Sequence, residues 1–258
     1  MTKPRLEAVA VSTEIGVFIF GGDSKDDKTS EFLPKKSKTW IEGPNIPVGI
    51  RKACGVNLPE TEEVFLIGGY HGNERNIIKY NYNLHNQGWS TVMTLPFRRT
   101  GHACTKSGNQ LIVAGGMDDL GISIDKTEII NLVTLDVRIV GALKVPRSYF
   151  GLAAFSDGIQ ERILAFGGYD SSKDLSEVKY LSSVEEWNME EQTWQLLPDV
   201  SLKEGKSGFG FYEVSVDILC GMCCKMYEYC RYYVLPYLNC SFSHNFKFKV
   251  YNVYSDNF

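Results

Sequence analysis

The sequence predicts an all-β protein built from a repeated four-stranded unit, and three observations carry that expectation. An apolar run closing on two glycines occurs four times: Val17-Phe18-Ile19-Phe20-Gly21-Gly22, Val64-Phe65-Leu66-Ile67-Gly68-Gly69, Leu111-Ile112-Val113-Ala114-Gly115-Gly116 and Ile163-Leu164-Ala165-Phe166-Gly167-Gly168. The first glycines lie 47, 47 and 52 residues apart, and a fixed period of this kind marks an array of similar supersecondary units. Runs of strand length and composition, bounded by Gly, Pro and Asn, leave helical periodicity little support.

Within each repeat the signals keep one order. A basic residue follows a proline-containing turn, then come a first strand, a short turn, the Gly-Gly strand, a polar loop, a third strand, and a fourth strand that often carries Trp and ends near Leu-Pro. In the second repeat these are Arg51 to Val56, Val64 to Gly69, Ile77 to Asn81 and Trp89 to Val92. The Gly-Gly strand is apolar on both faces, as expected of an inner strand packed between neighbouring sheets. The double glycine lets the chain turn where another backbone approaches closely.

Bulk properties exclude several classes. With 258 residues, 43% hydrophobic and 22% charged, the chain has the composition of a globular protein rather than of a disordered, collagenous or coiled-coil one. A net charge of −4 gives no strong field toward nucleic acid or anionic lipid, and neither is expected as a partner. No apolar stretch approaches the roughly 18 residues that a membrane-spanning helix needs. Met1-Thr2-Lys3-Pro4-Arg5 runs into a charged segment without a signal-peptide core, so the expectation is a cytoplasmic protein, or a fragment whose start lies upstream. Of seven cysteines, five fall in the last 39 residues, and the body retains Cys54 and Cys104, too few for a disulfide scaffold.

These repeats resemble the kelch family, in which an apolar strand with Gly-Gly is followed by Tyr or a similar residue and by Trp about twenty positions on. Trp40 follows Gly22 by 18 residues, Trp89 follows Gly69 by 20, and Trp194 follows Gly168 by 26 across a polar insertion; the third repeat has Val137 near the corresponding place. The resemblance covers about residues 3 to 204. It implies a kelch-type β-propeller with four clear blades, over about 3–47, 48–96, 97–146 and 147–204, and Trp40, Trp89 and Trp194 between blades, a structural role weighed against ligand stacking.

A fifth repeat starts at Lys206-Ser207-Gly208-Phe209-Gly210-Phe211-Tyr212 and stops being recognisable near Cys220, so the propeller region is read as 1–220 and the ring as incomplete or open. Residues 221–258 form a Cys/Tyr-rich tail. It is open to three readings: a degenerate fifth blade using Phe246 to Tyr251, a zinc or disulfide segment using Cys220, Cys223, Cys224, Cys230, Cys240 and His244, and a stretch foreign to the fold. The last is favoured.

Aligning on the glycine pairs places Arg5, Arg51, Arg99, Arg147 and Lys206 at the opening of successive repeats, 16, 17, 16, 20 and 15 residues before the first glycine or its counterpart. The kelch resemblance implies that such arginines, with tyrosines after Gly-Gly (here Tyr70 and Tyr169), line one face and grip acidic peptides. A guanidinium fork suits a carboxylate. The competing reading is that these cations tie the blade openings to neighbouring carbonyls or carboxylates. Asp23, Asp26, Asp27, Asp118, Asp119, Asp170 and Asp174 on the same loops make the face mixed or acidic, and a calcium site there has little support.

No phosphate loop, dinucleotide fingerprint, nucleophile elbow or zinc-protease motif occurs, and the four histidines share no metal spacing. The sequence therefore reads as a non-catalytic protein-interaction propeller without cofactor or metal. It binds a protein or peptide partner of acidic character through one loop face, and self-association is open to it if the ring is open. A propeller enzyme or metal-binding protein, and a structural fragment, are the alternatives.

Overall fold

The computed structural model describes residues 1–22, 28–70, 75–84, 87–156, 160–172, 178–212 and 249–252. Four antiparallel sheets follow one another along the chain. Blade 1 contains β1 (Val9–Thr13), β2 (Gly16–Phe20), β3 (Ser30–Pro34) and β4 (Ile41–Glu42), and blade 2 contains β5 (Cys54–Leu58), β6 (Glu63–Ile67), β7 (Asn76–Asn81) and β8 (Trp89–Thr94). Blade 3 contains β9 (Ala103–Ser107), β10 (Gln110–Ala114), β11 (Thr127–Asn131) and β12 (Val137–Ile139). Blade 4 has β13 (Gly151–Ser156) and β14 (Glu161–Phe166), then a two-stranded hairpin of β15 (Tyr169–Asp170) and β16 (Lys179–Tyr180), then β17 (Ser183–Asn188) and β18 (Thr193–Ser201). The first strands β1, β5, β9 and β13 are neighbours in turn, so the sheets stack around an axis as propeller blades.

Beside β13 lies β19 (Phe209–Tyr212), paired antiparallel with β20 (Lys249–Asn252). Of the tail, only Lys249–Asn252 is described, so its proposed metal or disulfide residues, His71, His85, and Asp23, Asp26, Asp27 and Asp174 lie outside the described residues.

Each blade presents one face forward and one back, and apolar cores fill the spaces between them. Val9, Val11, Phe18 and Phe20 of blade 1 meet Val64, Leu66, Ile78 and Tyr80 of blade 2. Phe65 and Ile67 of blade 2 meet Leu111 and Val113 of blade 3, and Ile112 and Ala114 of blade 3 meet Ile163 and Ala165 of blade 4. Trp89 packs edge-on to Phe20 at 5.4 Å between blades 1 and 2. Trp194 is fully buried between blades 3 and 4, where its indole N–H donates to Thr127 Oγ1 of blade 3 at 3.0 Å. In blade 3 Val137 takes the Trp position. Trp40 departs from the expectation: it would face a blade before blade 1, no described sheet lies there, and it is left partly exposed.

The glycine pairs explain how the blades are joined. Both members have left-handed backbone, with φ of 63° and 84° at Gly21 and Gly22 and of 60° and 96° at Gly115 and Gly116. A Cβ on Gly21 would collide with the Ile50 carbonyl, and one on Gly115 would come within 2.5 Å of the Arg147 carbonyl. The second glycine of each pair donates to the opening segment of the following blade: Gly22 N to Ile50 O (2.9 Å), Gly69 N to Arg99 O (3.3 Å), Gly116 N to Arg147 O (2.9 Å) and Gly168 N to Lys206 O (2.6 Å).

Cys54 on β5 and Cys104 on β9 are disulfide-bonded across the second interface, with Cα atoms 5.9 Å apart and a sequence separation of 50. Although too few for a scaffold, the two body cysteines thus join blades 2 and 3. By the loop-closure argument, a bond spanning this length contributes up to ~4 kcal/mol. Peptide mapping without reductant is expected to recover the Cys54–Cys104 cross-link, and Cys54→Ser with Cys104→Ser is expected to lower the urea midpoint; free thiols in the native protein would contradict it.

Candidate functional site

The opening segments do not align as the glycine spacing suggests. The residue whose carbonyl receives the glycine N–H is Ile50 in blade 2, but Arg99, Arg147 and Lys206 in blades 3, 4 and 5. Ile50, not Arg51, is therefore the counterpart of the ring arginines, and Arg51 stands one position later, level with Leu6, Thr100, Ser148 and Ser207. The spacing of 17 rather than 16 to Gly68 was the available signal.

This shift divides the candidate arginines. Arg5 donates through Nη1 to the carbonyls of Gly21 (2.6 Å) and Thr29 (3.2 Å), and its Nε meets Glu31 Oε1 at 3.1 Å. Arg99 Nη1 donates to the carbonyls of Gly115 (2.9 Å) and Lys126 (3.2 Å), and its Nη2 pairs with Glu128. Arg147 Nη1 donates to Gly167 O (2.9 Å) and Ser183 O (3.2 Å), and Nη2 to Glu185 Oε1 (2.6 Å). The side chains of Arg99, Glu128, Arg147 and Glu185 are fully buried. Burial pulls the Arg99 and Arg147 guanidinium pKa values down from the ordinary arginine value, while Glu128 and Glu185 oppose it. These three arginines clamp the glycine turn to the third strand of their own blade. In blade 2 the same two slots are held by Ile50 and Ile78, which share one apolar cluster. An apolar pair replaces an ion pair, as buried sites of this kind tolerate.

Arg51 is placed differently. Its guanidinium lies 4.9 Å from the Tyr70 ring centroid and its Nη1 3.8 Å from Glu7 Oε2, while its backbone carbonyl accepts from Tyr70 N at 2.8 Å. Tyr70, Met117 and Tyr169 follow the glycine pairs of blades 2, 3 and 4 and bridge to Arg51, Thr100 and Ser148. Thr100 and Ser148 are buried, and the Ser148 hydroxyl is held by Gly116 O (3.0 Å) and Ser123 Oγ (2.8 Å). Lys206 does not join the cluster; its Nζ lies 2.8 Å from Glu204 Oε1.

A second ring, which the sequence reading missed, supports this face. Glu7, Lys52, Gly101, Tyr149 and Gly208 occupy one position in successive blades, all with φ between 51° and 66°. Their backbones form a chain around the axis: Lys52 N to Glu7 O (3.0 Å), Gly101 N to Lys52 O (2.8 Å), Tyr149 N to Gly101 O (2.7 Å) and Gly208 N to Tyr149 O (2.9 Å). Their side chains share no chemistry, so no motif announces them. Lys52 Nζ is 3.4 Å from Glu7 Oε1 and 5.5 Å from the Tyr149 ring centroid; the Tyr149 hydroxyl donates to Glu7 Oε1 at 3.2 Å. Tyr149 stacks on Tyr169 at 5.6 Å, and Tyr180, 60% exposed, stands edge-on to Tyr169. Burial, with Tyr180 and Glu7 nearby, raises the Tyr169 phenol pKa.

Glu7, Lys52 and Tyr149, with Ala53, His102 and Phe150, line a cavity of about 550 Å³. Burial first, then the Arg99 charge, lowers the His102 pKa to about 3, so its imidazole is neutral. The Ile67 backbone favours its charged form, though in a geometry short of a hydrogen bond. His102 is a packed side chain. Asp118 and Asp170 accept backbone N–H groups in their own turns, and Asp119 pairs with Arg98 at 3.6 Å. Among the described residues no three His, Cys, Asp or Glu side chains gather for a metal.

Comparison with known proteins agrees with the repeat architecture. The family model of the Kelch motif matches residues 146–201, which is blade 4. An F-box/kelch-repeat protein of Arabidopsis thaliana is 23% identical over 70% of this chain and 41% of its own length. The chain is similar to kelch-repeat proteins, with a Kelch motif in its fourth blade. The spermatocyte protein spe-26 of Caenorhabditis elegans is 26% identical over 40% of the kelch chain and 19% of its own length. The kelch chain thus spans less than half of these curated relatives. The solved structure of YjhT superposes with a TM-score of 0.65 at 14% identity, over 81% of the kelch chain and 70% of that chain, a likeness of fold.

The clamp reading is checked by unfolding. Arg147→Ala leaves Glu185 buried without its guanidinium and is expected to cost ~3–5 kcal/mol, whereas Arg147→Met with Glu185→Leu is expected to cost much less. Equal losses in urea titrations would remove the charge argument.

Proposed function

We propose that this kelch propeller is a non-catalytic binding module that takes an acidic segment of a protein partner on the axial mouth formed by Arg51, Lys52, Tyr70, Tyr149 and Tyr169. The placement of Arg51 carries the reading. Arg5, Arg99 and Arg147 are consumed by carbonyls and carboxylates of their own blades, while Arg51 lies against the 40% exposed ring of Tyr70. A cation over an aromatic ring, beside further exposed tyrosine, is the composition of a binding hot spot. The F-box/kelch relative lends support, since an F-box named beside kelch repeats suits a chain whose propeller selects a protein. The cytoplasm is the compartment we propose from the sequence, and recovery of the Cys54–Cys104 bond from the native protein would overturn it, because cytosolic reductants keep such pairs open.

The experiment is affinity capture from the protein's own cell extract, comparing the wild type with single variants. Arg51→Ala and Tyr70→Ala are each expected to weaken the same captured partner by about thirtyfold, the loss of one hot-spot residue. Arg98→Ala, an exposed change, is expected to leave capture unaltered. A partner retained equally by all three variants would refute the assignment.

A second reading is favoured by the back face of blade 1. Val64, Leu66, Leu111, Val113, Ile163 and Ala165 are buried on the corresponding faces of blades 2 to 4, but Val17 and Ile19 are only partly covered and Ala10 is exposed. Through this face we propose that the propeller self-associates, as uncovered sheet faces of apolar character do. The mass measured by light scattering is expected to rise with protein concentration, and Val17→Asp to abolish the rise. A constant monomer mass in the wild type would discard this reading.

A further inference from the structure

We infer that Glu7 is a resident carboxylate occupying the subsite where an acidic partner docks, so that binding proceeds by exchange of one carboxylate for another. This rests on the binding role proposed above and names its central contact. Three groups from two other blades converge on Glu7: Lys52 Nζ at 3.4 Å, the Tyr149 hydroxyl at 3.2 Å and Arg51 Nη1 at 3.8 Å. The mouth is thus already arranged around one carboxylate, which defines the ligand chemistry it accepts.

Two further observations separate Glu7 from the structural glutamates. Glu31 and Glu185 each accept charge-assisted hydrogen bonds of 2.6 Å in fully or nearly buried positions, from the Thr2 backbone N–H and from Arg147. The Glu7 side chain is 16% exposed, and its two cationic partners are themselves about a quarter exposed at longer range. Ion pairs held at this range are weak contacts, so an incoming carboxylate with shorter contacts can displace this one. The backbone offers no reason for the residue either. Glu7 has φ 60°, a conformation that favours glycine, and two of its four ring counterparts, Gly101 and Gly208, are glycine. The acidic side chain is therefore explained by the groups it meets above the ring. While it stays, it also repels an approaching carboxylate. The ligand is an Asp or Glu side chain between Arg51, Lys52 and Tyr149, with its neighbouring residues against the rings of Tyr70 and Tyr169.

The probe is a rhodamine-labelled tetraglutamate peptide, with labelled tetraglutamine as control, titrated by fluorescence anisotropy. Glu7→Gln is expected to bind tetraglutamate about tenfold more tightly than the wild type, and adding Arg51→Ala is expected to erase the gain. Glu7→Gly, which keeps the left-handed backbone while deleting the carboxylate, gives the same gain if the glutamine variant unfolds. If the wild type prefers tetraglutamate to tetraglutamine but neither Glu7 variant gains affinity, the exchange proposal is overturned and the binding reading survives. If no form distinguishes the two peptides, both are overturned.

Discussion

A backbone hydrogen bond from the second glycine of each pair to the opening carbonyl of the following blade is the constraint on which this architecture depends. The bond forms only if two consecutive residues turn through left-handed backbone within contact distance of another chain segment, and only glycine does this without collision. Everything nearby follows from holding that turn in place. The first glycine's carbonyl points inward and needs a donor, which Arg5, Arg99 and Arg147 supply in blades 1, 3 and 4. A buried guanidinium then needs a carboxylate, and the third strand supplies Glu31, Glu128 or Glu185. In blade 2 both members of the pair are replaced together, by Ile50 and Ile78. Joint replacement is what the energetics require, since one charge left without the other would be buried and uncompensated.

The glycine pairs and apolar runs were legible because they repeat, and they carry most of the fold. The blade interfaces were legible for the same reason: the alternation that sends Phe65 forward and Leu66 back recurs at Ile112 and Val113. The site was only half legible. Arg51 and Tyr70 stand where recognition was expected, but Arg51 reaches its position through a one-residue slip that an alignment on glycines absorbs. Glu7, Lys52 and Tyr149 were not legible at all, because a shared backbone conformation selects their position and no shared side chain marks it. The disulfide escaped for a related reason. Cys54 and Cys104 lie at adjacent rather than equivalent positions of their repeats, and they meet because forward and back faces are one residue out of step.

Trp40 illustrates how a correct motif can lose its expected environment. In blades 2 and 4 the tryptophan at this place reaches the preceding blade, where Trp89 finds Phe20 and Trp194 finds Thr127. The same geometry in blade 1 directs the residue away from every described sheet. The partial exposure of Val17, Ile19 and Leu33 on that side is the same effect seen in the strands. Neither departs from the repeat pattern; both state what the pattern does where no described layer covers it.

The division of labour among the basic residues follows from burial rather than from sequence position. A guanidinium buried beside the glycine turns, as in Arg99 and Arg147, is shut off from water and from any partner, so its contacts are the carbonyls and carboxylate of its own blade. One residue further along, the side chain rises to the mouth, where a long-range carboxylate and an aromatic face are its contacts. The slip that puts Ile50 into the clamp of blade 2 is thus also what lifts Arg51 out of it. A single-residue shift moves the cation from a blade-closing position to the mouth while the apolar pair Ile50 and Ile78 keeps the turn in place. Lys52 then falls on the left-handed ring beside it, and two adjacent cations reach the axis from one blade. Exposed positive charge is thereby concentrated on blade 2 rather than spread evenly around a ring of equivalent arginines.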